Sequence, residues 1–244
     1  MTDLVCRIEH TTARMTLNRP DALNALTHAM CLQMEEQLKR WADDDGVTQI
    51  LVDAAGDKAF CAGGDIQHLY DHGRAGDFSF GQTFWADEYR LNALIANYPK
   101  PYIVFMQGFV MGGGVGVSCH GSHRIVDESS KIALPECGIG LIPDVGSSYL
   151  LATAPGHCGE YLGLTGARMA AGDALFAGFA DHFIPQDAWD AAKDALIQAG
   201  SPDSLNSFIT APPESTLPAQ RTAIDRIFSA DDMAMVLDLS LIHI

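Results

Sequence analysis

Met111-Gly112-Gly113-Gly114-Val115-Gly116 is the stretch that decides how this chain folds. An apolar run rich in β-forming residues, Tyr102 to Met106, precedes it, and a segment of small residues, Val115 to Cys119, follows it. The order predicts a strand, a glycine turn and a helix. Consecutive glycines are unfavourable inside regular structure, so they indicate a ligand or another backbone at contact distance. A tight turn without any ligand explains them equally well at this point.

A second stretch of the same kind lies upstream. Gln49 to Asp53 is predicted to be a buried strand, and it leads to the glycine turn Cys61-Ala62-Gly63-Gly64-Asp65. Apolar residues at helical spacing predict a helix from Asp21 to about Trp41, whereas the polar, Gly-rich stretch from Tyr70 to Phe80 predicts a mobile loop. Repeated alternation of strands and helices predicts an α/β fold with a largely parallel sheet, in which ligands bind beyond the strand ends.

Length and composition bound the domain organisation. The chain has 244 residues, of which 48% are hydrophobic, enough to bury one sizeable core. From Ser201 onward the composition shifts to Ser, Pro and Thr, and the chain then ends inside a predicted helix. We therefore expect residues 1–200 to form a core and residues 201–244 to form an incomplete C-terminal helical segment.

Charge and composition also exclude several classes of protein. A formal net charge of -16 repels nucleic acid and anionic membranes. The sequence has no apolar run of membrane-spanning length and no signal peptide at Met1, so we expect a soluble, cytoplasmic protein without membrane or nucleic-acid partners. Six scattered cysteines without a Cys-x-x-Cys pair predict neither a disulfide framework nor a zinc site.

Other site motifs are absent or incomplete. The glycine stretch completes neither the dinucleotide-binding pattern nor the P-loop pattern, and Ser118 lacks the second glycine of a nucleophile elbow. Two histidine pairs have helical spacing, but no acidic residue completes a metal-binding pattern; they are His68 with His72 and His120 with His123. We therefore predict no bound metal.

Two carboxylates are the stronger signal. Glu136 follows a strand and a proline among apolar residues, so burial would raise its pKa towards a value suited to acid–base or nucleophilic chemistry. Asp144 lies eight residues further on. It has two explanations on spacing alone, catalysis or capping of the helix that begins near Ser147.

Several motifs occur in one order and together resemble the crotonase (enoyl-CoA hydratase/isomerase) superfamily. They are Asn18-Arg19-Pro20, Ala22-Leu23-Asn24-Ala25-Leu26, Phe60-Cys61-Ala62-Gly63-Gly64-Asp65, Gly108-x-x-Met111-Gly112-Gly113-Gly114, and Pro135-Glu136 followed by Gly138-x-Gly140-x-x-Pro143-Asp144. The last two motifs most resemble the 3-hydroxyisobutyryl-CoA hydrolases. The resemblance implies a crotonase-like spiral of ββα units with a C-terminal helical segment.

The resemblance also implies roles for individual residues. The amides of Gly64 and Gly113 would form an oxyanion hole for the thioester carbonyl. Glu136 would attack that carbonyl or activate water, and Asp144 would orient the substrate hydroxyl or carry a proton. Glu88 matches a substrate-side glutamate, with a solvated helix residue as its alternative. The further substrate-binding positions are Ala22, Leu23, Ala62, Asp65, Ile66, Gly112 and Pro135.

Gly116 separates the reactions that the superfamily offers. A typical hydratase has a glutamate at this position, and its absence weakens hydration while leaving thioester hydrolysis intact. The resemblance therefore implies hydrolysis of a short-chain hydroxyacyl-CoA, 3-hydroxyisobutyryl-CoA of valine breakdown in particular. The alternatives are an enoyl-CoA hydratase or isomerase and a non-catalytic acyl-CoA-binding fragment. No cofactor is expected beyond the coenzyme A of the substrate, and the oligomeric state is left open.

Overall fold

The computed structural model describes residues 2–241, which form two sheets surrounded by helices. The strands are β1 Leu4–Glu9, β2 Thr12–Leu17, β3 Gln49–Ala54, β4 Ala59–Cys61, β5 Tyr102–Met106, β6 Phe109–Met111, β7 His123–Val126, β8 Lys131–Ala133 and β9 His182–Phe183. The α-helices are α1 His28–Ala42, α2 Ile66–Arg74, α3 Phe78–Ala96, α4 Gly113–Ser118, α5 Ser147–Thr153, α6 Cys158–Thr165, α7 Ala171–Phe176, α8 Trp189–Ala199, α9 Leu217–Phe228 and α10 Met233–Leu241. Short 3-10 helices cover Pro20–Ala22, Glu136–Ile139, Gln186–Ala188 and Pro202–Ser207.

The chain alternates between the two sheets. The larger sheet has the order β1-β2-β3-β5-β7-β9, and only its β1–β2 pair is antiparallel. The smaller sheet has the order β4-β6-β8 and is parallel throughout. Each of β3, β5 and β7 is followed by one strand of the smaller sheet, and helices follow β4 and β6. This arrangement confirms the predicted spiral of ββα units.

The central strands are apolar on both faces because helices cover both sides of the larger sheet. Successive side chains of a strand point to opposite faces. Val52 and Val104 accordingly belong to the main core, together with residues of α1 and α3. Leu51 and Ile103 belong to a second cluster, which Trp189 of α8 and its neighbours complete. Each face of the larger sheet is thus packed in one of these two clusters.

The helix predicted to start at Asp21 begins later, so that prediction is wrong. Leu23 and Asn24 have φ of 51° and 55°, which no α-helix accommodates. The amide of Leu26 instead donates to the carbonyl of Gly63 at 2.8 Å. The segment therefore pairs with the upstream glycine turn, and α1 starts only beyond it.

The loop predicted between Tyr70 and Phe80 is also wrong, because α2 and α3 occupy most of it. An aspartate begins each helix: Asp65 accepts a hydrogen bond from the amide of His68, and Asp77 accepts one from the amide of Phe80. Such capping satisfies an amide that has no partner within the helix. The polar, Gly-rich composition of this stretch did not indicate where α2 and α3 begin.

Residues beyond 200 pack on the rest of the chain. Asp173 of α7 accepts hydrogen bonds from the amides of Thr216 and Leu217 at 2.7 and 3.1 Å. The rings of Tyr161 and Phe228 meet edge to face, with centroids 5.6 Å apart. The division into residues 1–200 and 201–244 stays a prediction, and its limits at residue 1 and residues 242–244 lie outside the described part.

Among residues 2–241, no helix combines the length and the apolar character needed to cross a bilayer. The six cysteines are free thiols, and four of them are buried: Cys31, Cys61, Cys119 and Cys158.

Asp53 of β3 joins the larger sheet to α8. Its carboxylate accepts hydrogen bonds from Thr16 at 2.7 Å, from Arg14 at 2.6 Å and from Lys193 at 3.0 Å. Burial alone would raise the pKa of Asp53, but the charge of Lys193 and the hydrogen bond from Arg14 outweigh it and hold the pKa below its ordinary value. The ionised carboxylate therefore stabilises the fold.

Replacing the buried Asp53 by Asn should lower the free energy of unfolding at pH 7 by about 3 kcal/mol, because two half-buried cations, Arg14 and Lys193, lose their counter-charge. Urea unfolding measures this loss, with Asp45→Asn at an exposed turn as the control. Because the pKa of Asp53 is depressed, its contribution is present above about pH 4, the pKa of an unfolded aspartate, and is lost as the pH falls through the folded-state value. Equal losses in both variants would contradict the assignment.

Candidate active site

The two glycine turns face each other across the ends of β4 and β6, which are neighbours in the smaller sheet. A Cβ atom on Gly63 would lie 3.3 Å from the carbonyl oxygen of Met111. One on Gly113 would lie 3.2 Å from the amide nitrogen of Gly64. A side chain at either position would crowd the backbone of the facing turn, which explains the glycines predicted to mark a contact.

The amides of Gly64 and Gly113, predicted to form an oxyanion hole, lie on the two facing turns. The amide of Leu26 donates to the carbonyl of Gly63, and the carbonyl of Leu26 accepts a hydrogen bond from the amide of Asp65. The amide of Gly64, which lies between these two groups, therefore points away from Leu26. The amide of Gly113 is the first of α4, where no acceptor exists within the helix. Two donors thus lie on facing turns.

Gly114 packs against the upstream turn. A Cβ atom there would clash with the carbonyl oxygen of Cys61 and would lie 3.0 Å from its Cβ atom. Burial raises the pKa of the Cys61 thiol to about 12, so this thiol is neutral. The contact fixes the start of α4 against the end of β4.

Glu136 lies beside the turns, as the sequence predicted for a buried acid. It opens the 3-10 helix after β8 and is 5% exposed. Its Oε1 atom is 2.9 Å from the place of a Cβ atom on Gly112, and its Oε2 atom has no hydrogen-bond partner among the described residues. Burial, opposed by a backbone hydrogen bond and reinforced by the charge of Asp144, raises the pKa of Glu136 to about 7.

Glu88 of α3 faces the same space and is only 3% exposed, so it is not a solvated helix residue. Its Oε1 atom lies 2.5 Å from the place of a Cβ atom on Gly113 and has no hydrogen-bond partner within residues 2–241. Burial and the charges of Asp144 and Glu136 raise the pKa of Glu88 to about 8. At neutral pH this carboxyl is therefore mostly protonated and can donate a hydrogen bond.

Asp144 completes a group of three carboxyl groups. Its Oδ2 atom accepts a hydrogen bond of 2.5 Å from the hydroxyl of Tyr89, which follows Glu88 on α3. The capping explanation for Asp144 is wrong, because the residue before α5 is Gly146 and no side chain caps that helix. The carboxylate instead faces α3 and the cleft.

One cleft collects most of the predicted site residues. Its lining includes Gly64, Gly113, Glu88, Glu136 and Asp144, together with the predicted substrate positions Ala62, Ile66, Gly112 and Pro135. The remaining wall is apolar and comprises Leu69, Phe84, Trp85, Ile139, Leu141 and Val145. Acidic groups at the centre of an apolar wall suit a ligand with one reactive polar group and an apolar body.

Three predicted substrate positions lie outside this lining. Ala22 is exposed at the end of a 3-10 helix, and the carbonyl of Leu23 accepts a hydrogen bond from the amide of Ala62. The side chain of Asp65 pairs with Arg19 at 3.0 Å and caps α2. These residues lie beside the upstream glycine turn, outside the cleft lining.

Sequence reasoning missed a role for Tyr89, Asn92 and Val145. Tyr89 contacts a residue 55 positions away, and no local pattern indicates such a pairing. Asn92 is buried with both amide atoms unpartnered among the described residues. Its position four residues after Glu88 places it on the same face of α3, which is the signal that could have indicated it.

The described residues contain no group of three or more His, Cys, Asp or Glu side chains arranged to hold a metal ion. His72, one of the candidates from the sequence, instead stacks on Phe80 and pairs with Asp77 at 2.9 Å. His120 donates to a backbone carbonyl. These two candidates thus have structural contacts.

The sequence matches the enoyl-CoA hydratase/isomerase family over residues 12–240. It is 40% identical over 235 residues to the mitochondrial 3-hydroxyisobutyryl-CoA hydrolase of Danio rerio, covering 92% of this chain and 61% of that protein. The corresponding Xenopus laevis protein is 44% identical over 192 residues, covering 79% of this chain and 50% of that protein. The chain thus spans half to three fifths of the length of these relatives, and the matches confirm the predicted resemblance.

Solved structures give the same fold. The chain superposes on a carnitinyl-CoA dehydratase from Mycobacterium thermoresistibile with a TM-score of 0.96 and 44% identity, covering 100% of this chain and 71% of the other. An enoyl-CoA hydratase from Rhodobacter sphaeroides gives a TM-score of 0.90 and 48% identity, covering 98% and 73%. The structural relatives therefore carry names of different reactions from those of the curated sequences.

Gly114→Ala should destabilise the protein by about 2 kcal/mol or more, because the added methyl group meets backbone that cannot move aside easily. Gly138→Ala is the matched control, since a Cβ atom there meets nothing within 4 Å. Urea unfolding of both variants measures the difference. A Gly114 variant as stable as the Gly138 variant would contradict the close contact between the turns.

Proposed function

This chain belongs to the enoyl-CoA hydratase/isomerase family, and we propose that it hydrolyses a short-chain hydroxyacyl-CoA thioester, with 3-hydroxyisobutyryl-CoA as its substrate. Water is consumed, the carbon–sulfur bond breaks, and 3-hydroxyisobutyrate and coenzyme A are released. The names of the curated relatives support this substrate. The three carboxyl groups beside two free amides support this chemistry.

The packing around Gly116 is the observation that favours hydrolysis over hydration. A Cβ atom at this position would lie 2.7 Å from Nδ2 of Asn92 and 2.7 Å from Cβ of Val145. The space in which a hydratase-like glutamate would begin is therefore already filled. Without that second glutamate, the pair of glutamates that holds water in a typical hydratase is incomplete, whereas attack on a thioester carbonyl needs only one such group.

The carbonyl oxygen of the thioester would sit between the amides of Gly64 and Gly113. These donors stabilise the negative charge that develops on this oxygen when the carbonyl carbon becomes tetrahedral. Removal of one such donor typically costs about 3 to 4 kcal/mol of transition-state stabilisation. A protonated Glu88 beside Gly113 would add a third donor at neutral pH.

Glu136 would act at the carbonyl carbon by one of two routes. As a nucleophile, it forms a mixed anhydride and expels the thiolate of coenzyme A, and water then cleaves the anhydride. As a general base, it takes a proton from a water molecule that attacks directly. Label on Glu136 after a single turnover in ¹⁸O-water would establish the nucleophilic route, because it requires water to cleave an anhydride at the Glu136 carboxyl carbon.

Asp144 would orient the substrate hydroxyl or carry a proton to the departing thiolate. Its carboxylate already accepts one hydrogen bond, from Tyr89, and the opposite edge faces the cleft. A hydroxyl group on the acyl chain could donate a hydrogen bond to that edge. This contact would favour hydroxyacyl groups over plain acyl groups.

Coenzyme A would run past the glycine turn at Ala62 and Ile66, supported from behind by Ala22, Leu23 and Asp65. Backbone contacts would allow an acidic chain to bind an acidic ligand. The proposal requires no cofactor apart from the coenzyme A of the substrate. A cytoplasmic location and assembly into a homo-oligomer stay predictions.

Hydration or dehydration of an acyl-CoA is the second candidate function. The names of the two solved structures at 44% and 48% identity favour it. Its signature would be loss of the crotonyl-CoA absorbance without release of thiol. Measuring both reactions on the same preparation therefore separates the two candidates.

Wild-type protein should release thiol from 3-hydroxyisobutyryl-CoA, and Glu136→Gln should reduce this rate about 100-fold or more, because the amide can neither attack nor accept the proton. A thiol reagent measures the release. Glu160→Gln, an exposed residue of α6, is the matched control and should retain the wild-type rate. Hydration of crotonyl-CoA without thiol release would overturn the proposal.

The pH profile of kcat/KM should be bell-shaped. Glu136 must be ionised to act, so activity should rise as the pH passes about 7. Glu88 must be protonated to donate, so activity should fall as the pH passes about 8. In Glu88→Gln, whose amide is neutral at every pH, the alkaline fall should disappear while the acid rise remains. An alkaline fall that persists in this variant would contradict the role of Glu88.

A further inference from the structure

The four residues Asp144 to Ser147 form a turn of unusual conformation. The amide of Ser147 donates to the carbonyl of Asp144 at 2.8 Å. The two central residues, Val145 and Gly146, have φ of 50° and 76°, as in a type I′ turn. Glycine adopts this conformation freely, but a β-branched residue with positive φ is a genuine outlier. Val145 is therefore strained.

The strain lies next to the cleft. Val145 is 1% exposed, and its side chain forms part of the cleft wall and packs over Gly116. Backbone strain at such a place persists only where the surrounding contacts enforce it. The contacts that enforce this turn can be identified.

His120 makes the most direct of these contacts. Its Nε2 atom is 2.8 Å from the carbonyl oxygen of Val145, and because that oxygen can only accept, Nε2 carries the proton. The same ring covers Gly146, where a Cβ atom would lie 2.8 Å from Nε2. His120 thus contacts both left-handed residues of the turn and leaves no room for a side chain on the second.

The place of His120 in the chain links this turn to the oxyanion site. His120 follows α4 by two residues, and α4 begins at Gly113. One short helix therefore has the Gly113 amide at its start and the His120 contact just beyond its end. Asp144 is anchored on its other side by Tyr89 of α3.

We propose that His120 is a positioning residue that holds Val145 in its left-handed conformation and so fixes Asp144 at a set distance from the Gly113 amide. His120 is not among the residues that line the cleft, and its contact with the site is through the turn. The kinetic consequence of this contact rests on the proposed thioester hydrolysis. Its conformational consequence does not.

The kinetic test compares His120→Leu with His120→Gln, whose side-chain amide can place an N–H group near the position of Nε2. His120→Leu should lower kcat for thiol release about tenfold, the size expected when a strained turn is released, and leave KM unchanged. His120→Gln should retain most of the wild-type kcat. Equal losses in both variants would overturn the proposal, because a loss of packing alone does not depend on the N–H group.

Val145→Gly tests the strain itself. Glycine adopts the left-handed conformation without cost, so it does not need the contact with His120. His120→Leu should therefore cost little kcat when residue 145 is already glycine. The double variant His120→Leu/Val145→Gly should retain most of the kcat of Val145→Gly. A double variant as impaired as His120→Leu would overturn the proposal.

Hydrogen exchange provides a readout independent of activity. The peptide covering residues 143–148 should exchange faster in His120→Leu than in wild-type protein, and the double variant should show no such increase relative to Val145→Gly. Exchange in β3 should be the same in all variants. If wild-type protein releases no thiol, the proposed function fails, but these exchange rates still decide the role of His120.

A further pair covers the case in which His120→Leu does not fold. Val145→Gly should unfold at a temperature equal to or above that of Val145→Ala, although glycine lacks the methyl group, because only alanine retains strain at positive φ. A more stable alanine variant would show that Val145 is not strained and would overturn the proposal.

Discussion

The close backbone contact between the two glycine turns is the constraint on which the rest of the site depends. The turns follow β4 and β6, whose pairing shifts in register between Ala59 and Cys61. Gly63 approaches the carbonyl of Met111, and Gly113 approaches the amide of Gly64. A side chain at either glycine would press on the backbone of the facing turn and shift the two amides there. Packing of the backbone accounts for the glycines, and it is compatible with the ligand contact proposed at the same places.

Two buried glutamates on neighbouring helices, Glu35 and Glu88, have pKa values shifted in opposite directions. Glu35 of α1 is 5% exposed, and hydrogen bonding to Arg90 outweighs burial and lowers its pKa to about 2. Glu88 of α3 is similarly buried but has no cation beside it, so its pKa moves in the opposite direction. A buried carboxyl without a counter-charge costs stability, which ion pairs such as that of Glu35 offset elsewhere. Burial raises the pKa of both acids, and the cation beside Glu35 reverses that shift.

The sequence predicts the fold and the centre of the site better than the conformations that surround them. The strand–turn–helix order and the burial of Glu136 follow from local patterns. Runs of apolar residues indicate buried segments, and consecutive glycines indicate a close approach of the backbone. The late start of α1 depends on pairing between Leu26 and Gly63, far along the chain, which no helical periodicity reveals. The partner of Asp144 is Tyr89 on another helix. Local spacing could therefore not exclude helix capping by Asp144, whose side chain caps no helix.

The packing around Gly116 limits the order in which related chains can exchange reactions by mutation. A glutamate introduced there meets Asn92 and Val145 at once, so it requires a smaller residue at one of these positions beforehand. Val145 in turn belongs to the turn that carries Asp144. Changes at these three positions are therefore expected to depend on one another, so a substitution at Gly116 alters the turn that carries Asp144 as well as the cleft wall.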